Sequence, residues 1–80
     1  MIEILFFGRL AEAMQARRLS YAGAATTLFS LRDEVFESAL SSGRLTSGDI
    51  RMSVNQSQAF DDRPLSAGDE IAFFPVFSGG

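Results

Sequence analysis

The chain has no cysteine, no histidine, no lysine and no tryptophan. Without cysteine it can carry neither a disulfide framework nor thiol chemistry. Without cysteine and histidine together, a structural zinc site loses its usual thiolate and imidazole ligands, and a Ser-His or Cys-His nucleophilic pair cannot be assembled. Chemistry by the chain's own side chains is therefore not expected. Basic charge is also scarce: the net charge is −3, which argues against a general nucleic-acid binder, since neutralising phosphates needs a basic excess. No apolar run approaches the ~18 residues of a membrane span. Residues 1–7 lack the basic leader and small-residue cleavage site of a signal peptide, so a cytoplasmic location is expected.

What is present is enough for one small core. The 80 residues are 46% hydrophobic and include eight phenylalanines, a composition that packs rather than stays disordered. Ile2, Ile4 and Phe6 alternate with Glu3, Leu5 and Phe7, the period of a strand whose second face is partly apolar. Gly8 closes it, and residues 9–14 have room for one or two helical turns. Residues 18–22, with Leu19 and Tyr21 on one side, predict a second strand in a hairpin with the first. Thr27 is placed to cap a main helix over 28–40. At 100° per residue Leu28, Leu31, Val35 and Ala39 share a stripe, widened by Phe29, Phe36 and Leu40, while Asp33, Glu34, Glu37 and Ser38 face the other way. Ser41-Ser42-Gly43 ends the helix. Residues 51–55 predict a strand with Met52 and Val54 inward, Asn55-Gln56-Ser57 a turn, residues 58–60 a short strand, and Gly68-Asp69 the turn before a last strand over 70–75. In that strand Ile71 and Phe73 face the core, and Ala72 and Phe74 point out.

Strands separated by one helix that covers one face imply an α+β domain rather than a βαβ repeat. The first and last strands, the most apolar, are expected to lie centrally, adjacent and parallel. That is a ubiquitin-like β-grasp: a mixed sheet of four to five strands with one main helix on one face, in a single domain over 1–80 with 76–80 as a flexible tail.

The tail ends in Ser78-Gly79-Gly80. Glycine has no Cβ, so two in succession lie extended where no side chain would fit. Such a tail is suited to delivering the Gly80 carboxylate into a narrow site on another protein. All seven basic residues are arginine. A codon preference accounts for that, and so does a terminus that becomes an activated acyl group and must not meet an amine.

The segments Ile4-Leu5-Phe6-Phe7-Gly8 and Val54-Asn55-Gln56, with Pro64-Leu65, Gly68-Asp69-Glu70-Ile71-Ala72-Phe73-Phe74-Pro75 and Ser78-Gly79-Gly80, resemble the small, sulfur-carrier subunits of molybdopterin synthases. The resemblance runs the length of the chain and is most specific in its last seventeen residues. The family often carries Pro-Pro-Val before the tail; here Pro75, Val76 and Phe77 stand there, so one proline that would hold the segment extended is missing. The thiazole-pathway sulfur carriers share the fold and the Gly-Gly ending, and the Phe73-Phe74-Pro75 ending favours the molybdopterin branch.

The resemblance implies a carrier that binds no cofactor of its own. An adenylating enzyme of the ubiquitin-activating type would use ATP and magnesium to convert the Gly80 carboxylate into an acyl-adenylate. A sulfur donor protein would displace the adenylate with persulfide sulfur, leaving a thiocarboxylate at Gly80, with Gly79 giving clearance. The large subunit of molybdopterin synthase would then supply the catalytic side chains, in a two-plus-two heterotetramer, for transfer of sulfur to cyclic pyranopterin monophosphate. Leu5, Phe7, Ala72 and Phe74 are expected to form an apolar docking patch on the sheet face away from the helix, with Pro75 and Phe77 also meeting the partner. A ubiquitin-like protein modifier and a plain β-grasp interaction module remain open alternatives.

Overall fold

The computed structural model describes residues 1–76; Phe77, Ser78, Gly79 and Gly80 lie outside the described residues. The alternation at the start of the chain builds β1 (Ile2–Phe6), with Ile2, Ile4 and Phe6 buried. Gly8, at φ 56°, turns the chain out of the strand into α1 (Gly8–Met14), which contributes Leu10 to the core. Gln15 ends α1 in the left-handed region, and β2 (Arg18–Tyr21) then returns antiparallel along β1. The predicted pairing is present, and the helical turns expected over residues 9–14 form the helix that joins the two strands.

The predicted long helix is two. α2 (Leu28–Val35) begins at Thr27, whose hydroxyl accepts from the Ser30 N–H while Ser30 Oγ accepts from the Thr27 N–H, a reciprocal cap. Phe36 leaves helical geometry, at φ −101° and ψ 19°, and α3 (Glu37–Ser41) follows. The break accompanies the packing of one ring. Phe36 meets Phe6 and Phe73 edge-on, with centroids 5.8 and 5.1 Å away, while Phe6 and Phe73 stack at 6.0 Å. Each such pair adds about 0.5–1.5 kcal/mol beyond the burial of its area. Of the predicted stripe Leu28, Leu31 and Ala39 are buried and Val35 is half-buried, while Phe36, expected at its margin, is buried.

β3 (Ile50–Val54) starts one residue earlier than the sequence indicated, adding Ile50 to the core. Asn55 and Gln56 both take positive φ, 50° and 71°, the mirror-image turn that suits the twist of a two-residue hairpin, and β4 (Ser57–Ala59) follows. Gly68, at φ 90°, precedes β5 (Glu70–Pro75). The five strands lie in the order β2-β1-β5-β3-β4, with β1 and β5 parallel and the other pairs antiparallel. With the helices on one face, this is the β-grasp arrangement, and β5 is its middle strand.

Candidate functional site

Because β5 is central and last, whatever follows residue 76 starts from the middle of the sheet. How the ladder ends there follows from one proline. The Phe7 N–H donates to the Phe73 carbonyl at 3.0 Å. By the parallel pattern the next bond would run from residue 75 back to the Phe7 carbonyl. Pro75 has no N–H to give. The Phe7 carbonyl instead accepts from Leu10 in α1 at 3.2 Å. Proline is tolerated in this middle strand because its missing donor faces the point where β1 has already left the sheet.

On the other side the ladder persists one residue further. The Val76 N–H donates to the Asp49 carbonyl at 3.4 Å, so Val76, expected to belong to the tail, is still bound to the sheet. Asp49 is itself fixed. Its carboxylate accepts from the Thr46 N–H at 2.8 Å and hydroxyl at 3.0 Å, and these bonds, with the Arg9 charge a smaller cause, hold its carboxyl below the usual range. The start of β5 is pinned in the same way. The Asp69 carboxylate accepts from the Ser66 N–H and from Asn55 Nδ2, which lowers its pKa, while Asn55 Oδ1 accepts from the Glu70 N–H at 2.9 Å.

Pro75, expected at the partner surface, is buried. Its ring lies on the core side opposite Ile50 and against Gly8, where a Cβ would come within 3.2 Å of Pro75 Cγ. The reason is the pleat: Ile71, Phe73 and Pro75 all point to the core side. Pro75 therefore shapes the end of the strand from inside.

The same alternation places Leu5, Ala72 and Phe74 on the opposite face. Leu5 pairs with Ala72, Ala72 with Ser53, and Phe74 with Arg51. Phe7 continues the alternation past β1 and is 49% exposed. Leu5 and Phe74 are half-buried, and the small Ala72 is buried between its neighbours. Two rims border this apolar strip. On the β2 side Arg18 pairs with Glu3 at 2.9 Å, and the Ser20 hydroxyl donates to Glu3 at 3.1 Å. On the β3 side stands Arg51, which no local pattern marks and which the register of β3 against β5 sets beside Phe74. The remaining expected site residues, Phe77, Gly79 and Gly80, lie outside the described residues.

A sequence profile described as the ThiS family matches residues 4–80. The chain belongs to the ThiS family. Among relatives of this ThiS-family chain, the molybdopterin synthase sulfur carrier subunit of Escherichia coli (strain K12) is 36% identical over 84 aligned positions, covering 100% of both chains. Among solved structures it is similar to SAMP1 from Haloferax volcanii, at 31% identity and a TM-score of 0.70, covering 99% of this chain and 98% of that one. It is also similar to a chain of the complex of subunits 1 and 2 of molybdopterin-converting factor from Helicobacter pylori 26695, at 25% identity and a TM-score of 0.63, covering 99% and 97%. No helix of the described residues is long and apolar enough to cross a membrane.

Proposed function

We propose that this ThiS-family chain is the sulfur-carrier subunit of a molybdopterin synthase and that the carbonyl carbon of Gly80 is its working atom. The observation that carries this reading is the 36% identity to the Escherichia coli carrier subunit across the whole of both chains. The fold supports it: β5 (Glu70–Pro75) is both the last strand and the middle strand of a β-grasp sheet.

A carboxylate is a poor electrophile, so sulfur cannot be loaded onto Gly80 directly. In the proposed sequence an adenylyltransferase uses ATP and magnesium to form the Gly80 acyl-adenylate. A persulfide sulfur from a donor protein attacks the carbonyl carbon and AMP leaves, giving an acyl disulfide. A protein thiolate of the donor or the activating enzyme then attacks the donor's sulfur, so that a protein disulfide forms and the S–S bond breaks to release the thiocarboxylate. The thiocarboxylate that results is far more acidic than a thiol. It is therefore an anionic sulfur nucleophile at neutral pH without a neighbouring base, which suits a chain lacking histidine and cysteine. Sulfur then passes to cyclic pyranopterin monophosphate inside the large subunit, and two transfers complete the molybdopterin dithiolene. The large subunit supplies the positive charge that both the thiocarboxylate and the substrate phosphate require. The pairing of subunits 1 and 2 in the Helicobacter pylori complex supports a large-subunit partner.

The strip formed by Leu5, Phe7, Ala72 and Phe74 is the proposed docking surface, used in turn by the activating enzyme and the large subunit. Mass spectrometry of the protein purified from cells tests the function. A fraction heavier by one oxygen-to-sulfur exchange at Gly80 is expected. Conjugates to other proteins with no such fraction would instead favour the modifier reading that the likeness to SAMP1 brings.

A further inference from the structure

Charge is not spread evenly over this molecule. Between α1 and the β1–β2 pair lies an open groove of about 1020 Å³, and three of the chain's seven arginines, Arg9, Arg17 and Arg18, line it. Among its lining residues Glu12 alone is acidic. Acidic side chains gather elsewhere, Asp33, Glu34 and Glu37 on α2 and α3, and Asp69 and Glu70 at the start of β5. A chain of net charge −3 thus keeps one basic region. Its cations are available: among the described residues Arg9 and Arg17 enter no ion pair, and Arg18 has only the exposed pair with Glu3.

The backbone that carries these arginines is fixed. The Gln15 N–H donates to the Glu12 carbonyl at 3.2 Å, the Ala16 N–H to the Ala11 carbonyl at 3.1 Å, and the Phe6 N–H to the Arg17 carbonyl at 2.9 Å. Ala11 and Ala16 pack against the core. Binding here therefore orders side chains but not the loop itself, which keeps its entropic cost small. The groove also continues the apolar strip, because Leu5 and Phe7 line both and Arg18 pairs with Leu5 across β1 and β2.

Resting on the carrier function proposed above, we infer that this groove receives an acidic segment of the large subunit, seated beside the strip of Leu5, Phe7, Ala72 and Phe74. Guanidinium groups match carboxylates with two parallel hydrogen bonds. Exposed arginines at the rim of an interface act mainly on encounter: their field draws in an oppositely charged segment and sets its orientation. Other anions fit less well. The described residues include no buried polar or charged side chain, so nothing in the groove closes around a small anion. A nucleic acid would meet the acidic remainder of a chain whose net charge is −3. A protein segment with spaced carboxylates and an apolar side chain satisfies both the arginines and the apolar lining.

The test pairs the full chain with the purified large subunit from the same organism. Surface plasmon resonance over a salt series reads association and dissociation separately. Arg17→Glu breaks no ion pair among the described residues and should fold as the unaltered chain does. It should associate at least about threefold more slowly at low salt, a gap that closes as added salt screens the charges. Arg9→Gln should act in the same direction, whereas Arg63→Glu, the same charge reversal outside the groove, should leave the rate nearly unchanged. A second readout uses the absence of lysine from the chain. Arg17→Lys introduces a single one, and a carbodiimide joins its amine to a carboxylate in contact with it. Mass spectrometry of the digested complex should find residue 17 joined to an aspartate or glutamate of the large subunit, and Arg63→Lys should give no such product. Equal association rates for Arg17→Glu and the unaltered chain would overturn the inference. So would a product joining residue 17 to a second copy of this chain, or none joining it to the large subunit. Binding that ignores the groove variants sinks this inference alone; an unaltered chain that does not bind the large subunit sinks the carrier reading, and the inference with it.

Discussion

Gly8 and Pro75 meet where β1 leaves the sheet: a Cβ on Gly8 would lie 3.2 Å from Pro75 Cγ, and Gly8 holds φ at 56°. The two residues settle one problem jointly. Gly8 turns the chain into α1, which gives the Phe7 carbonyl a new donor, and Pro75 can then stand in the middle strand without leaving that carbonyl unpaired.

Gly8→Ala should therefore destabilise the fold by about 1–2 kcal/mol, the cost of left-handed backbone for a residue with a Cβ, with a further contribution if the Pro75 ring cannot shift. Urea unfolding followed by circular dichroism reads this as a lower midpoint at unchanged slope. An unchanged midpoint would mean the turn relaxes freely.

A second prediction concerns Tyr21. Its hydroxyl donates to Glu34 in α2 and accepts from the Ala25 N–H at 2.8 Å, tying β2 to the helix layer. Burial, and then the Glu34 contact, raise its pKa above the ordinary value. Tyr21→Phe should cost about 1–2 kcal/mol by stranding the Ala25 N–H. Gly23→Ala should disturb the same group, because a Cβ at residue 23 would overlap the Tyr21 phenol. Since a raised tyrosine pKa favours the neutral form in the folded state, stability from this group is present below pH 10 and is lost as pH climbs through the folded pKa. Thermal melts of both variants against pH check it.

Acid should act through Asp49 and Asp69. Both carboxyls are depressed by hydrogen bonds, Asp49 chiefly from the Thr46 N–H and Asp69 chiefly from the Ser66 N–H. Their stabilisation is present above the unfolded value of 3.8 and disappears as pH falls through the lower folded values. Melting temperature should stay level through neutral pH and drop below about pH 4. Asp69→Asn should flatten that drop, and an unaltered acid limb would contradict the assignment.

On the outer face, Phe74→Ala should leave the fold intact, since the side chain lies outside the core cluster. Affinity for the activating enzyme and for the large subunit should fall together, by about tenfold or more, as expected for an aromatic anchor. Isothermal titration with each partner measures it. Normal affinity for both would remove this face from the docking surface.

Much of this was legible in the sequence, and the failures have physical causes. Period-2 alternation and turn residues located every strand, and Thr27 marked the start of α2, because those signals are local. The break at Phe36 was hidden, since the partners of its ring, Phe6 and Phe73, are far away in the chain. Pro75 lies on the core side by the same alternation that turns Ile71 and Phe73 inward, a local signal that the expectation of a partner contact at the strand's end overrode. Leu5, Ala72 and Phe74 fell on the expected face, as the pleat requires, whereas Arg51 joined them only through the register of β3 against β5. The proposed reactive end at Gly79 and Gly80 rests on residue type and resemblance alone.

The Gly-Gly pair carries the steric part of the account. If Gly79 provides clearance as proposed, Gly79→Val should leave the described domain folded and block thiocarboxylation or sulfur transfer, because a branched Cβ adds bulk where glycine has none. Ordinary loading and sulfur transfer by this variant would defeat that part alone.

The most direct measurement reconstitutes the full reaction with activating enzyme, ATP, sulfur donor, large subunit and cyclic pyranopterin monophosphate, comparing the intact chain with one lacking Gly80. The account predicts a dithiolene product from the intact chain and none from the shortened one; equal product from both would contradict it.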